Sequence, residues 1–240
     1  MKPEVLLCAS LAGLALLSGC ASAKSGLSPL PAYMNSPEYQ SRPAATESLF
    51  ASDEAVLRGT TIEQILNSKV VIPKQARLAV LQHGQRPNWQ WWSDEFARLD
   101  QDLQGDFMRV LTNGTRLVDV GLLPSLMIPE KQTIPYLREA AARYQADLLL
   151  VYRTASRVYD KTRAFSQDRV KAQCIVEGIL LDVRTGLVPF SSVVTEEYVG
   201  KKSKEDYGFS ETIAKAEMKA ISLGLARMGA DLVKFLEAVP

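Results

Sequence analysis

The stretch DRVKAQCIVEGILLDV (168–183), followed by RTG (184–186) and LVPFSSVVTEEYV (187–199), decides the fold. Val170, Ala172, Cys174, Val176, Gly178 and Leu180 alternate with more polar neighbours, the period of a strand with one buried face. Arg184-Thr185-Gly186 is turn chemistry, so 168–183 and 187–199 are expected to pair as antiparallel strands. Cys174 falls on the apolar phase, where a thiol packs as a small hydrophobe.

Upstream of this ribbon the pattern changes type. Arg77 to Leu81 reads as a short buried strand, Thr115 to Leu122 as a second strand, and Leu148-Leu149-Leu150-Val151 as the most apolar strand of the chain. Between them, Ser93-Asp94-Glu95 opens a helix carrying Phe96, Leu99, Leu103, Phe107 and Val110 on one face, stopped at Asn113-Gly114. Thr133 caps another helix, with Pro135 in its first turn and Ile134, Leu137, Ala141 and Tyr144 on one side. Shorter helical pieces begin at Ser52 and at Thr60, where Thr60 and Glu63 have capping-box spacing. Downstream, Lys201 to Asp206 is a charged loop, and Ser210 caps a long closing helix. Its residues Met218, Ile221, Leu225, Met228, Leu232 and Phe235 recur every three or four positions. They form either a seam for a partner helix or a stripe packed on the sheet. The expectation is an α/β (α+β) sandwich: a mixed sheet of about five strands in the order β-α-β-α-β-β-β-α, with the long C-terminal helix packed on it.

Composition limits the function. The 240 residues carry 28 Lys plus Arg against 27 Asp plus Glu, a net charge of +1. No overall field gathers nucleic acid. With 47% hydrophobic and 23% charged residues the chain is an ordinary globular one.

The amino terminus reads as an address. Val5 to Leu17 is an apolar run of 13 residues, the length of a signal-peptide core and short of the about 20 needed to span a bilayer. Leu17-Ser18-Gly19-Cys20 resembles the bacterial lipobox. That resemblance implies a signal peptide over 1–19, cleavage between Gly19 and Cys20, and acyl chains on Cys20. One myristoyl chain binds membranes only marginally, so two or three acyl chains would hold the protein durably. Ala21 stands where lipoproteins retained in the inner membrane carry Asp, which implies an outer-membrane anchor facing the periplasm. Residues 20–50, with Pro29, Pro31, Pro37 and Pro43, read as the lipidated cysteine and a Ser/Ala/Pro tether, and 51–240 as a single periplasmic domain. From Cys20 to Thr60 a flexible coil would span roughly 35 Å. With Cys8 lost and Cys20 acylated, Cys174 has no partner for an internal disulfide.

The junction from Leu137-Arg138-Glu139-Ala140-Ala141 to Ala146-Asp147-Leu148-Leu149-Leu150-Val151, with Leu181-Asp182-Val183-Arg184-Thr185-Gly186, carries a second resemblance. It is similar to a group of envelope domains: curli-secretion channel lipoproteins, lipoprotein activators of penicillin-binding proteins, the amino-terminal domain of TolB, and rhombotarget-type lipoproteins. Its extent, about Arg77 to Leu236, is topological more than motif-specific. The resemblance implies a domain that binds another envelope protein or assembles with itself.

Chemistry is sparse. His83 is the single histidine, and Gly-x-Ser-x-Gly, Walker and dinucleotide motifs are absent. Glu196 and Glu197, as neighbours on a strand, face opposite ways. The expectation is no enzyme, no cofactor and no metal. Two stretches are candidate partner-binding sites. Trp89, Trp91 and Trp92 cluster in one loop, as an interface anchor or as a staple on the following helix. Arg153, Arg157, Lys161 and Arg163 share a strand phase with Tyr159, giving a basic ribbon face that either meets an anionic partner or is simply solvated. The expected function is a lipid-anchored, non-enzymatic adaptor or regulator in cell-envelope biogenesis. The alternative is a self-assembling subunit of a secretion or scaffold complex.

Overall fold

The computed structural model describes residues 48–50, 59–84, 94–161, 169–204, 206 and 208–239. Along these run α1 (Gly59–Asn67), β1 (Ala76–Gln82), α2 (Asp94–Thr112), β2 (Leu117–Leu122), α3 (Ile134–Arg143), β3 (Leu148–Lys161), β4 (Arg169–Asp182), β5 (Phe190–Lys201) and α4 (Phe209–Ala238). The sheet order is β2-β1-β3-β4-β5. β1 runs parallel to β2 and β3, while β3–β4 and β4–β5 are antiparallel. The expected mixed sheet and closing helix are therefore observed.

The two crossovers explain the layering. From β1 to β2 the chain steps outward, and from β2 to β3 it steps back past β1. Crossovers of one hand moving in opposite directions leave their helices on opposite faces. Accordingly, Phe107 and Leu111 of α2 share a core with Leu78, Val80, Leu148 and Leu150. Leu137, Ala140 and Ala141 of α3 pack on Ala79, Leu81, Leu149 and Val151 instead. That two-sided burial is why Leu148–Val151 is an unbroken apolar run.

α4 lies on the α2 side. Ile221, Leu225, Met228 and Leu232 are buried in the core shared with the sheet, Phe235 packs partly buried against it, and Met218 is buried beside Leu99 of α2, so the stripe packs inside the domain and is not a partner seam. The approach is close: a Cβ placed on Gly178 of β4 would meet Met228 Sδ at 2.4 Å.

Some boundaries differ from expectation. α4 begins at Phe209 with Gly208 as its cap and no side-chain capping bond, so Ser210 lies inside the first turn. Thr133 does cap α3, with Pro135 in the first turn, but only its carbonyl serves, accepting from Leu137 N–H at 2.9 Å. Thr60 lies within α1, which starts at Gly59 and buries none of its side chains. Strand β5 begins at Phe190, not Leu187, since Pro189 interrupts the ladder. Ser52 and Ser93 lie outside the described residues.

The polar residues of the junction motifs turn out to pin corners of the fold. Asp147 accepts from Arg77 N–H at 3.1 Å and pairs with Arg184 at 3.1 Å, while its carbonyl accepts from Val183 N–H at 3.0 Å. Buried Asp182 accepts from the Thr185 N–H at 3.0 Å and from the Thr185 hydroxyl. Gly186 takes φ +79° in that turn, a conformation side chains disfavour. Arg138 reaches over from α3, donating to the carbonyls of Val183 at 3.1 Å and Arg184 at 2.7 Å.

Candidate interaction surface

Where the apolar run of β3 stops at Arg153, the second helical layer stops too. Beyond that row the three antiparallel strands carry α4 on one face, and among the described residues no helix covers the other. Register assigns this open face. Arg153 lies opposite Glu177 and then Val193, and Ala155 opposite Ile175 and Thr195. Arg157 lies opposite Gln173 and Glu197, Tyr159 opposite Lys171 and Val199, and Lys161 opposite Arg169 and Lys201.

Its character is mixed, not uniformly basic. Arg153 pairs with Glu177 at 2.5 Å and Lys171 with Glu197 at 2.7 Å. Val193 is 69% exposed, Val199 54% and Tyr159 52%. Arg157 is exposed and makes no ion pair with a described residue. Arg169 and Lys201 are basic residues directly opposed across β4 and β5, so positive character concentrates at that end of the two strands. Sequence phase placed Arg153, Arg157 and Tyr159 together correctly. It missed Glu177 and Glu197, because cross-strand neighbours depend on register.

Trp89, Trp91, Trp92, Arg163, Gly19 and Cys20 lie outside the described residues, as does the side chain of Lys161.

Sequence reading also missed two buried polar clusters. At the start of α4, Asp206 accepts from Thr212 Oγ1 at 2.6 Å, Ser203 N–H at 2.9 Å and Lys215 Nζ at 2.9 Å; Lys215 also pairs with Glu211 at 3.1 Å. Burial opposes the charge on Asp206, but these hydrogen bonds and the Lys215 charge outweigh it and hold the carboxyl below its ordinary range. The cluster forms one wall of a cleft of about 440 Å³ whose other walls include Asp102, Asp106, Tyr198, Lys201 and Lys219. Deeper in, Ser156 donates its hydroxyl to buried Glu217 beneath the sheet. Burial, with the nearby Glu217 charge, pushes the Cys174 thiol up to about 12. A thiol so protonated is a packing group, not a nucleophile.

His83, six residues before Trp89, is buried just past the carboxyl end of β1. Its ring Nδ1 lies 2.7 Å from Gln132 Oε1, and its backbone N–H donates to the Tyr152 carbonyl at 2.7 Å. Among the described residues no group of three His, Cys, Asp or Glu is arranged to hold a metal, and no helix is long and apolar enough to cross a membrane.

No protein-family model matches the chain, and no curated protein does. Among solved structures, the chain is similar to the PelC dodecamer from Paraburkholderia phytofirmans, at 16% identity and TM-score 0.36, over 72% of this chain and 94% of that one. It is similar to a minor lipoprotein from Acinetobacter baumannii, at 9% identity and TM-score 0.35, over 66% of this chain and 93% of that one. It also resembles the LpoB C-terminal domain from Salmonella enterica, at 12% identity and TM-score 0.26, over 56% of this chain and 90% of that one.

Proposed function

We propose that this chain is a lipid-anchored envelope protein that acts by binding another protein through the open face of β3, β4 and β5, without chemistry of its own. The observation that carries the reading is the single-sided cover of the antiparallel half-sheet. The solvated face of an antiparallel sheet commonly carries polar residues, and this one keeps Val193, Val199 and Tyr159 exposed among paired charges. Apolar side chains within a charged frame are what a protein-binding patch requires.

The non-enzymatic part is supported by the state of the reactive groups: the Cys174 thiol is held protonated, and His83 is engaged with Gln132. The anchor rests on Leu17-Ser18-Gly19-Cys20. The outer membrane as destination, with the domain facing the periplasm, rests on Ala21. An adaptor on a tether, regulating an envelope enzyme, fits both parts.

Two measurements test this. Metabolic palmitate labelling should mark the protein and vanish in Cys20→Ala; label that persists in Cys20→Ala removes the anchor. A photo-crosslinking residue placed in turn at Arg157, Ile175 and Val193 in living cells should capture one foreign protein. The same residue at Leu223, exposed on α4, should not. Absence of any adduct from the three sheet positions would overturn the docking face.

A further inference from the structure

We propose that β5 pairs, antiparallel, with β5 of a second copy of this chain about a two-fold axis through Val199. The pairing runs through the backbone edge of β5 and shares Val199 with the open face, whereas the partner-binding reading is tested at Arg157, Ile175 and Val193, so the two can fail separately.

β5 is the outermost strand and hydrogen-bonds only to β4 within the sheet. It is 12 residues long, and a long edge strand offers unpaired backbone groups to any strand that matches it. What matches here is β5 itself. Its end, with the residue just past it, reads Glu196-Glu197-Tyr198-Val199-Gly200-Lys201-Lys202, with charge reversed about Val199. Setting Val199 opposite itself places Glu197 against Lys201 and Glu196 against Lys202, each twice by symmetry.

The faces agree as well. Directly opposed residues of antiparallel strands share a side. Glu197, Val199 and Lys201 all belong to the open face, and Glu196, Tyr198 and Gly200 to the α4 side. Moving the axis to Tyr198 loses both charge pairs, and moving it to Gly200 loses Glu197 against Lys201. A one-residue slip would set the open face of one copy against the helical face of the other.

The subunit's own register supplies a second reason. Lys201 lies opposite Arg169, and like charges directly opposed are unfavourable. In the paired arrangement Glu197 of the second copy closes that basic row with a carboxylate. Val199, 54% exposed in one subunit, gains an apolar neighbour, its own symmetry mate. Each subunit brings a five-stranded sheet, so the pair forms one continuous sheet with both open faces on the same side.

The test is site-directed disulfide trapping of the full chain in membranes. Val199→Cys places two thiols face to face, within disulfide reach, and a mild oxidant should convert most of the protein to a dimer on a non-reducing gel. Val193→Cys is on the same strand and face, but the two copies would be about 40 Å apart at roughly 3.3 Å per residue. It should trap at least tenfold less. In the Val199→Cys background, the double change Glu196→Lys with Glu197→Lys should lower trapping at least tenfold, as should Lys201→Glu with Lys202→Glu. Co-expressing these two variants should restore it as a mixed dimer, which also shows that both fold. Equal trapping from Val193→Cys, no dimer from Val199→Cys, adducts only to a different protein, or no rescue on co-expression would each overturn the pairing.

Discussion

Gly224 of α4 and Val176 of β4 are in such close apposition that a Cβ added at 224 would stand 2.6 Å from Val176 Cγ2. Neither side can yield easily: the valine is stiff at χ1 and fully buried, and the helix is held along its length by the core stripe. Gly224→Ala should therefore push α4 off the sheet and lower stability by about 1–3 kcal/mol. Gly105, inside α2, has nothing within 4 Å of an added Cβ. Gly105→Ala should raise stability by about 0.5–1 kcal/mol through helix propensity alone. Urea unfolding midpoints of the two variants should thus move in opposite directions.

Asp206 makes an acid-side prediction. Its carboxyl is held below the ordinary 3.8 in the folded protein, so the folded state binds that proton less readily than the unfolded chain does. The linked stability is present above about pH 4 and is lost as pH falls through the folded value. Asp206→Asn should be less stable than wild type at pH 7, with the gap narrowing below pH 4. Melting temperatures across pH 3 to 7 check this, and a gap independent of pH would contradict it.

Cys174 makes the opposite prediction on the alkaline side. Its thiol is raised from 9.0 to about 12 by burial and by Glu217. The folded state thus keeps a proton that the unfolded chain releases, and the linked stability is lost as pH rises above about 9. Iodoacetamide at pH 8 should leave the Cys174 peptide unmodified in the native protein and label it rapidly in 6 M guanidinium, as read by peptide mass mapping.

Arg138 ties α3 to the turn after β4 through the carbonyls of Val183 and Arg184. Charge-assisted bonds of this kind contribute about 1.5–3 kcal/mol. Arg138→Ala should lower stability within that range and speed amide hydrogen exchange at Thr185 and Gly186. Arg143→Ala, which removes an exposed pair with Glu139 on the same helix, should change stability by less than about 0.5 kcal/mol.

Local pattern was enough to determine the element order, the antiparallel ribbon around Arg184-Thr185-Gly186, and the apolar phase that buries Cys174, because burial imposes periods of 2 and 3.6 on any sequence that meets it. It also marked Leu148–Val151 as the most apolar strand, but that both of its faces are buried, and that the second layer ends at Arg153, followed only from the packing of α2 and α3. Helix caps were less legible: Ser210 and Thr60 have capping chemistry, but backbone path decides whether a hydroxyl reaches an N–H. The clusters around Asp206 and Glu217 were not legible at all. Each joins groups from separate elements, and a buried carboxylate in a helix looks like any other acidic residue until packing encloses it. The same holds for the open face. Strand phase put Arg153 and Arg157 on one side, but only the tertiary register set Glu177 and Glu197 among them and left β5 at the edge, since the pairing partner of a strand is decided by the whole sheet.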